Sequence, residues 1–579
     1  MESVDLKEEL RVLSLNARML ATSFVIGIIA GLITSVFTDA FVIADRLRYT
    51  IITDWPTLFV ALSLALIFAT AYSLKRLLNT VHGSSTSYVV KAYHWRFGYI
   101  GLKELGIYTL GAIASVLGGA VVGPEGPGIA IGTFTGYWIA RRLGFRGDNL
   151  RKLVLVGAAA GIASVFRAPL TAMAFAIEVP YKRSLETGVF LPALVATMTS
   201  YVITVFIAGP QRLLLDVKPF KPPTPSPLLI IDSVLIGFGA AAMTYAMYLV
   251  KHFLGSLSDL KPRYWFVFPL ALSTLIIAAT FTVSVHVPGS GDVLTERVFN
   301  EPEEFEVGDT VSIMLARGLL LPLSLTWGAT GGLFMPLISI GTLLGLTFAK
   351  LFSVDPHLLY PLLIAGISAV FSGAQKTLFT SVLLGVEFLG FGGFFTSTIA
   401  AAVSYILTLD ISLISGQLPE VQDRKKRAMV ELLDKLLSNP NVANEMNKKV
   451  IEIANTKVTA LKAYARVRDV LPRIYEEMHE MYPVVDNSWK LVGKISLDTL
   501  ASVSPDSRIG DVMEEPNYVN EKERLIEALN VMLEENVDKL YVVDDQKKLL
   551  GVLSKSDFLR FALKVILEKI LRIKSSSEP

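Results

Sequence analysis

The chain has 579 residues, of which 52% are hydrophobic, and its 54 basic residues nearly balance its 52 acidic ones. This composition is too apolar for an ordinary soluble enzyme, and a net charge of +2 gives no indication of a nucleic-acid partner. The absence of cysteine excludes disulfides and thiolate metal sites, and the six histidines show no metal-ligand spacing. We therefore predict a multi-pass membrane protein with no metal site and no required cofactor.

At the start of the chain, residues 1–18 combine charged residues with leucines at helical spacing and lack the features of a signal peptide. We predict an amphipathic cytoplasmic helix there. A membrane domain follows over residues 19–418, in two halves at about 19–210 and 225–418. Its weakly charged segments are 19–38, 56–73, 105–124, 153–166, 187–209, 233–250, 265–286, 318–349, 356–375 and 388–409. Several are shorter than the ~20 residues of a simple span, which predicts broken or re-entrant helices.

A single carboxylate, Glu125, lies between glycines and prolines directly after the third of these segments. Proline and glycine leave backbone groups unpaired, and lipid cannot satisfy them unless they line a cavity. A carboxylate at mid-depth in the bilayer costs about 3 kcal/mol on insertion scales. We therefore predict that Glu125 faces a pore, and the alternative is a glutamate paired inside a packed bundle.

An internal repeat connects the two halves. Residues 127–132 (PGIAIG) match 336–341 (PLISIG), and 160–166 (AGIASVF) match 365–371 (AGISAVF) in the same order. Duplicated halves with glycine- and proline-interrupted segments indicate a transporter fold with its binding site between the halves. The repeat itself leaves open whether the halves are parallel or inverted.

Three glycine-containing loops resemble helix starts, at residues 83–86, 123–127 and 331–336. A helix start presents unpaired N–H groups and the positive end of the helix dipole, and both favour an anion. Ser84 adds a hydroxyl donor, although a serine before a helix is most often an N-cap only. Side chains suited to a metal cation are scarce in these segments, so an anion is the preferred ligand.

The composition changes after residue 409. We predict a linker over residues 419–430, and its basic run at 424–427 indicates the cytoplasmic side. Residues 431–575 are typical of a soluble α/β module that contains a repeat of 58 residues. In each copy a strand, a turn, a second strand and a helix start follow one another.

These motifs resemble those of the CLC family of chloride channels and proton-coupled chloride transporters. The family motif G-K/R-E-G-P is similar to Gly123-Pro124-Glu125-Gly126-Pro127, and G-G-x-F-x-P is similar to Gly331-Gly332-Leu333-Phe334-Met335-Pro336. The resemblance implies an all-α membrane domain of two inverted repeats with broken helices. It also implies a homodimer in the cell membrane, with the N-terminus and the C-terminal module in the cytoplasm.

The same resemblance assigns roles to individual residues. Glu125 is implied to be the gating glutamate, and Ser84 with the backbone N–H groups of Leu333 and Phe334 is implied to bind chloride or a similar small anion. Ile414 stands where the family usually has a chloride-binding tyrosine. No catalytic residues are implied, since isolated carboxylates without a histidine partner do not indicate an enzyme.

Pro124 replaces the basic residue of the first motif, which bears on the shape and positive potential of the filter. Two other departures, Val179 and Ile414, bear on proton coupling. Val179 stands where coupled transporters commonly carry an internal proton-accepting glutamate, with Glu178 as a possible substitute. Together with Ile414, Val179 favours chloride movement that is channel-like or weakly coupled to protons. A proton/chloride antiporter is the alternative, and a cation channel regulated by its C-terminal module is the alternative from another class.

The C-terminal module resembles a pair of cystathionine β-synthase (CBS) domains, which often bind adenine nucleotides. Ser554 and Asp557 fit the family's S/T-x-x-D pattern, whose hydroxyl and carboxylate contact phosphate and ribose. In the first copy, Asp498 comes one position early after Ser496. The pattern predicts one adenine-nucleotide site, and a purely structural module is the alternative.

Overall fold

The computed structural model describes residues 6–209, 227–260, 262–352, 354–421, 445–476, 479–535 and 537–575. The chain divides into two compact units, Met1–Arg424 and Lys425–Pro579. The α-helices of the first unit are α1 Leu6–Asp54, α2 Pro56–Leu78, α3 Ser85–Trp95, α4 Leu102–Leu117, α5 Glu125–Arg142, α6 Gly147–Phe166, α7 Pro169–Glu178, α8 Phe190–Ala208, α9 Pro227–Leu249, α10 Leu257–Leu260, α11 Val267–Thr282, α12 Asp292–Asn300, α13 Val307–Thr326, α14 Phe334–Leu351, α15 Leu359–Gln375, α16 Leu378–Leu389 and α17 Phe394–Leu407.

Seven helices in the described ranges are long and apolar enough to cross a membrane, and several shorter apolar helices accompany them. Large apolar side chains lie exposed on their outer faces, among them Phe24, Val36 and Ile43 of α1 at 51%, 65% and 66% exposure. An apolar outer face is expected where lipid is the solvent. The predicted multi-pass membrane fold is confirmed.

The first helix differs from its prediction. We expected a separate amphipathic helix over residues 1–18, whereas α1 continues without a break from Leu6 to Asp54. No proline or glycine pair interrupts this stretch, so the charged start and the apolar segment share one helix.

The broken helices are found where glycines and prolines predict them. The apolar run at 318–349 is divided between α13 and α14, and Gly328 and Gly331 in the connecting loop have φ values of +109° and +154°. Only glycine adopts such backbone angles at little cost. Helices α3, α7 and α16 have 11, 10 and 12 residues, and ~1.5 Å per residue leaves them well short of the ~30 Å hydrocarbon core.

The repeat appears in space as two equivalent helix pairs. Helix α5 packs on α6, and α14 packs on α15 in the second half. Glycines allow both contacts, since a Cβ on Gly132 would collide with the backbone of Gly157, and one on Gly341 would collide with that of Gly366. Without side chains at these positions the helix backbones approach closely.

Helices α7 and α16 show how the halves are oriented. Glu178 at the end of α7 accepts hydrogen bonds from the first N–H groups of α16, and Glu387 near the end of α16 accepts hydrogen bonds from the first N–H groups of α7. Such a reciprocal contact requires the two helices to run antiparallel. Equivalent helices that run antiparallel are the product of two inverted halves, as predicted.

The second unit contains two three-stranded sheets with the same topology. The strands are β1 Leu461–Lys462, β2 Met481–Val485, β3 Leu491–Ser496, β4 Tyr518–Asn520, β5 Lys539–Val543 and β6 Leu549–Ser554. In each sheet the first two strands are parallel and the last two antiparallel. The helices are α18 Val467–Glu476, α19 Leu497–Ser502, α20 Ile509–Val512, α21 Leu525–Glu534 and α22 Lys555–Ser575. The predicted α/β module with its duplicated unit is confirmed.

The two sheets of this unit are joined by a reciprocal contact. The Leu491 N–H donates to the Lys547 carbonyl at 2.8 Å, and the Leu549 N–H donates to the Trp489 carbonyl at 3.0 Å. Leu549 is the equivalent of Leu491 and Lys547 is the equivalent of Trp489, each one repeat of 58 residues later, so the contact obeys a local two-fold symmetry.

Candidate anion pathway

The loop before α14 holds the other two predicted helix starts together. The Gly331 carbonyl accepts hydrogen bonds from the Ser85 N–H at 3.2 Å and the Ser85 hydroxyl at 3.0 Å, and the Gly331 N–H donates to the Gly83 carbonyl at 3.2 Å. Gly332 and Gly123 exchange two backbone hydrogen bonds, at 2.8 and 3.0 Å. The three helix starts, identified separately in the sequence, therefore meet at one place.

Glycine is required at these contacts because backbones touch there. A Cβ on Gly332 would lie 2.5 Å from the Gly126 nitrogen and would also overlap the Glu125 carboxylate. A Cβ on Gly126 would lie 2.8 Å from the Gly332 Cα. Any larger residue at these positions would separate the starts of α5 and α14.

Glu125 is the first residue of α5 and is completely buried. Its Oε1 accepts a hydrogen bond from the Phe334 N–H, the first N–H of α14. Its Oε2 has no hydrogen-bond partner among the described residues. The carboxylate therefore occupies a helix start that would attract a free anion, and it does so with one oxygen buried and unsatisfied.

Aromatic rings enclose Phe334. Its ring centroid lies 5.4 Å from that of Phe166, 4.6 Å from that of Phe175 and 4.4 Å from that of Phe371. Phe166 and Phe371 are the equivalent last residues of the repeated AGIxxVF patterns. Leu333 precedes Phe334 as the N-cap residue of α14 and is also completely buried.

Ser84 and Ile414 lie at a second part of the cluster. Ser84 is the N-cap of α3, and its hydroxyl accepts a hydrogen bond from the Ser87 N–H at 3.3 Å and donates to the Ser87 hydroxyl at 3.0 Å. The Ser87 hydroxyl accepts a hydrogen bond from the Ser415 N–H at 3.0 Å, which brings the loop of Ile414 beside α3. The side chain of Ile414 is 2% exposed and offers no donor.

A cavity of about 510 Å³ reaches Ser84 and Ile414, and we call it the lysine cavity because Lys91, Lys182 and Lys251 line it. Among the acids of the described chain, Asp259 alone lines it, and Asp259 bonds to His82 at 2.7 Å. Three cations in one cavity raise the local concentration of anions.

Sequence reasoning missed these lysines. Lys251 directly follows the apolar segment 233–250, and a charge at the end of such a segment is ordinarily interpreted as a helix flank.

The residues considered for internal proton transfer lie elsewhere. The Glu178 carboxylate accepts hydrogen bonds from the N–H groups of Phe379 and Thr380 at 2.8 Å and from the Thr380 hydroxyl at 2.6 Å. Val179 is 4% exposed, and its carbonyl accepts a hydrogen bond from Gln417 Nε2 at 3.0 Å. The structure thus engages Glu178 in capping α16 rather than in the cluster around Glu125.

In the CBS pair, the predicted nucleotide residues form the start of α22. The Asp557 carboxylate accepts hydrogen bonds from the Ser554 N–H at 2.9 Å and from the Ser554 hydroxyl at 2.5 Å. In the first copy the Ser496 hydroxyl accepts a hydrogen bond from the Thr499 N–H at 3.0 Å, just as the Ser554 hydroxyl accepts one from the Asp557 N–H at 3.3 Å. A nucleotide site at Ser554 and Asp557 stays a prediction.

Tyr541 packs against residues of both sheets, and this burial raises the pKa of its hydroxyl group.

Comparison with known proteins covers both units. A family model described as voltage gated chloride channel matches residues 66–409, and the CBS domain model matches residues 450–506 and 509–564. The H+/Cl− exchange transporter ClcA of Vibrio cholerae serotype O1 is 24% identical over 394 residues, which cover 64% of this chain and 81% of the relative.

Solved structures give the same fold. A slow cyanobacterial Cl−/H+ antiporter aligns with a TM-score of 0.59 at 22% identity, over 73% of this chain and 99% of the other. A CLC-type fluoride/proton antiporter aligns with a TM-score of 0.58 at 22% identity, over 69% of this chain and 98% of the other. A eukaryotic CLC transporter aligns with a TM-score of 0.55 at 17% identity, over 94% of this chain and 98% of the other.

Proposed function

The chain belongs to the voltage-gated chloride channel family, and from this premise we propose that it moves chloride across the membrane in exchange for protons. Chloride transport follows from membership of this family. Proton exchange is the further step, and it is supported by the Vibrio cholerae relative, which is an H+/Cl− exchange transporter.

This proposal replaces the preference derived from the sequence. Val179 and Ile414 favour channel-like or weakly coupled movement, whereas the exchange activity named for the relatives favours the antiporter alternative. None of the relatives described above is named as a cation channel. We therefore expect a coupled transporter despite the two departures.

The contact between Glu125 and Phe334 is the observation that carries the proposal. The Glu125 carboxyl group accepts a hydrogen bond from the first N–H of α14, where an anion would bind, and the negative charge of its ionised form favours this position. A protonated carboxyl group no longer has the charge that holds it there, so chloride takes its place. Proton binding to Glu125 and chloride binding at the start of α14 would thus be linked through a single side chain, and exchange requires such a link.

Val179 offers no proton acceptor, and Glu178 is engaged in capping α16. We propose that water in the lysine cavity carries protons toward Glu125, since proton transfer needs groups or water within hydrogen-bond reach. Cations lining the cavity would at the same time concentrate chloride there.

We further propose that the chain forms a homodimer in the cell membrane, with its N-terminus and CBS pair in the cytoplasm. The basic run at residues 424–427 supports this orientation, because short cytoplasmic segments carry an excess of lysine and arginine. Binding of an adenine nucleotide at the CBS pair would then make transport depend on the energy state of the cell.

The reversal potential of the full-length protein in liposomes tests exchange. With opposed chloride and proton gradients, we expect a potential that shifts with pH at fixed stoichiometry, and we expect a chloride gradient to drive protons uphill. A potential that follows the chloride gradient alone would show a channel and contradict the proposal.

A further inference from the structure

Lys251 lies in an unusual turn at the lysine cavity. Helix α9 continues into a π-helical segment, Val250–Gly255, with Lys251 as its second residue. A π-turn inserts an extra residue into the helix and is frequently found at functional sites. The insertion changes which side chains of the helix face the cavity.

The ammonium of Lys251 bonds to both neighbours of Ile414. Its Nζ donates to the Leu413 carbonyl at 2.5 Å and to the Ser415 hydroxyl at 2.8 Å. A lysine has three N–H donors, so these two acceptors leave one donor available in a cavity that also reaches Ser84.

Lys251 has no carboxylate partner among the described residues. Two further cations, Lys91 and Lys182, line the same cavity. A poorly hydrated cation without a counter-charge is costly, and a small anion would relieve that cost.

We propose that Lys251 binds the transported anion at the mouth beside Ile414 and thereby supplies the donor that Ile414 lacks. The inference rests on the proposed chloride transport and adds a residue to its binding path. The ligand class is a small monovalent anion, because the available donor belongs to an ammonium group in a cavity that the hydroxyl-bearing residues Ser84 and Ser87 also line. The competing interpretation is a lysine that only tethers the loop 412–417.

Chloride binding to the purified full-length protein, measured by calorimetry, tests this role. Lys251→Gln keeps a hydrogen-bond donor for the loop but removes the charge, so we expect chloride affinity to fall about tenfold, the value of one charge-assisted hydrogen bond. Lys251→Arg keeps the charge and should retain most of the affinity. Lys103→Gln, at an exposed lysine of α4 that does not line the cavity, is the matched control.

A second substitution distinguishes anion binding by Lys251 from a role in which Lys251 only tethers the loop 412–417. Adding Ile414→Tyr to Lys251→Gln supplies a hydroxyl donor, and we expect it to restore part of the lost affinity. Unchanged chloride affinity in Lys251→Gln would overturn the inference and leave the proposed function intact. If the wild-type protein moves no chloride in liposomes, the proposed function fails, whereas the binding measurement still decides the role of Lys251.

Protein folding is checked by elution as a single species from gel filtration. Should Lys251→Gln not fold, Ile414→Tyr alone carries the test. A second donor beside Lys251 is expected to raise chloride affinity, and an unchanged affinity would contradict an anion site at this mouth.

Discussion

Two contacts join equivalent positions of the inverted halves, and they differ in symmetry. Glu178 and Glu387 are 209 residues apart, and each caps the other half's helix in the same way. Glu125 and Phe334 are also 209 residues apart, but here a carboxylate faces a backbone N–H and an aromatic ring replaces the second acid. The symmetric contact holds the halves together, and the asymmetric contact lies at the proposed anion site.

The comparison shows how a structural contact can be distinguished from a functional site in a protein with duplicated halves. A contact that two-fold symmetry repeats has the same chemistry on both sides and suits a structural role. Where one copy has changed its residue type, the site has a direction and can distinguish one face of the membrane from the other.

The largest effect is expected from removing the charge of Glu125, the acid of the asymmetric contact. Glu125→Gln cannot ionise, so chloride should enter without a proton, and proton transport should fall below detection while chloride flux persists. Chloride efflux and internal pH recorded together in liposomes check this. Glu303→Gln, at an exposed acid, is the control, and a Glu125→Gln protein that retains proton transport would remove Glu125 from the mechanism.

Separating the two helix starts is expected to have the next largest effect. In Gly332→Ala the new Cβ would collide with the Gly126 nitrogen and the Glu125 carboxylate, so chloride flux should fall at least about tenfold, as for a shift of ~1 Å in a preorganised site. Gly308→Ala is the control, because a Cβ there meets nothing within 4 Å. Equal flux in both variants would show that close contact is unnecessary.

Breaking the symmetric contact should reduce stability more than transport. Glu178→Ala removes several hydrogen bonds to the start of α16, and we expect a loss of about 3 kcal/mol in the free energy of unfolding. By symmetry, Glu387→Ala should lower the melting temperature by a similar amount. A Glu178→Ala protein of normal stability that loses proton transport would instead identify Glu178 as the internal proton acceptor.

The smallest effect is expected in the CBS pair, where the same distinction applies. Asp557 occupies the position of Thr499 in the first copy, so the predicted nucleotide residue is again the one that departs from symmetry. ATP at tenfold excess over its dissociation constant should stabilise the full-length protein by about 1.4 kcal/mol. Asp557→Thr should abolish that shift in melting temperature, and a shift that persists would place the nucleotide elsewhere.

Much of the site was predictable because its signals are local. Glycines, prolines and one acid mark Glu125 and the start of α14, and the repeat indicates that these two belong together; Ser84 is marked by its own helix start. The hydrogen bonds of Glu178 and Lys251 depend on partners about 160 to 200 residues away. No local pattern encodes such a partner, so capping and the lysine cavity became visible only in three dimensions.

The exchanged caps of α7 and α16 also constrain biosynthesis. Thr171 bonds to a carboxylate that lies 216 residues later in the chain. At 5–20 residues per second, a ribosome needs roughly 10 to 40 s to add that length. During this interval the start of α7 has already been made, but the carboxylate that caps it in the folded protein has not. The N-terminal end of α7 can therefore reach its final hydrogen bonding only after most of the second half has been synthesised.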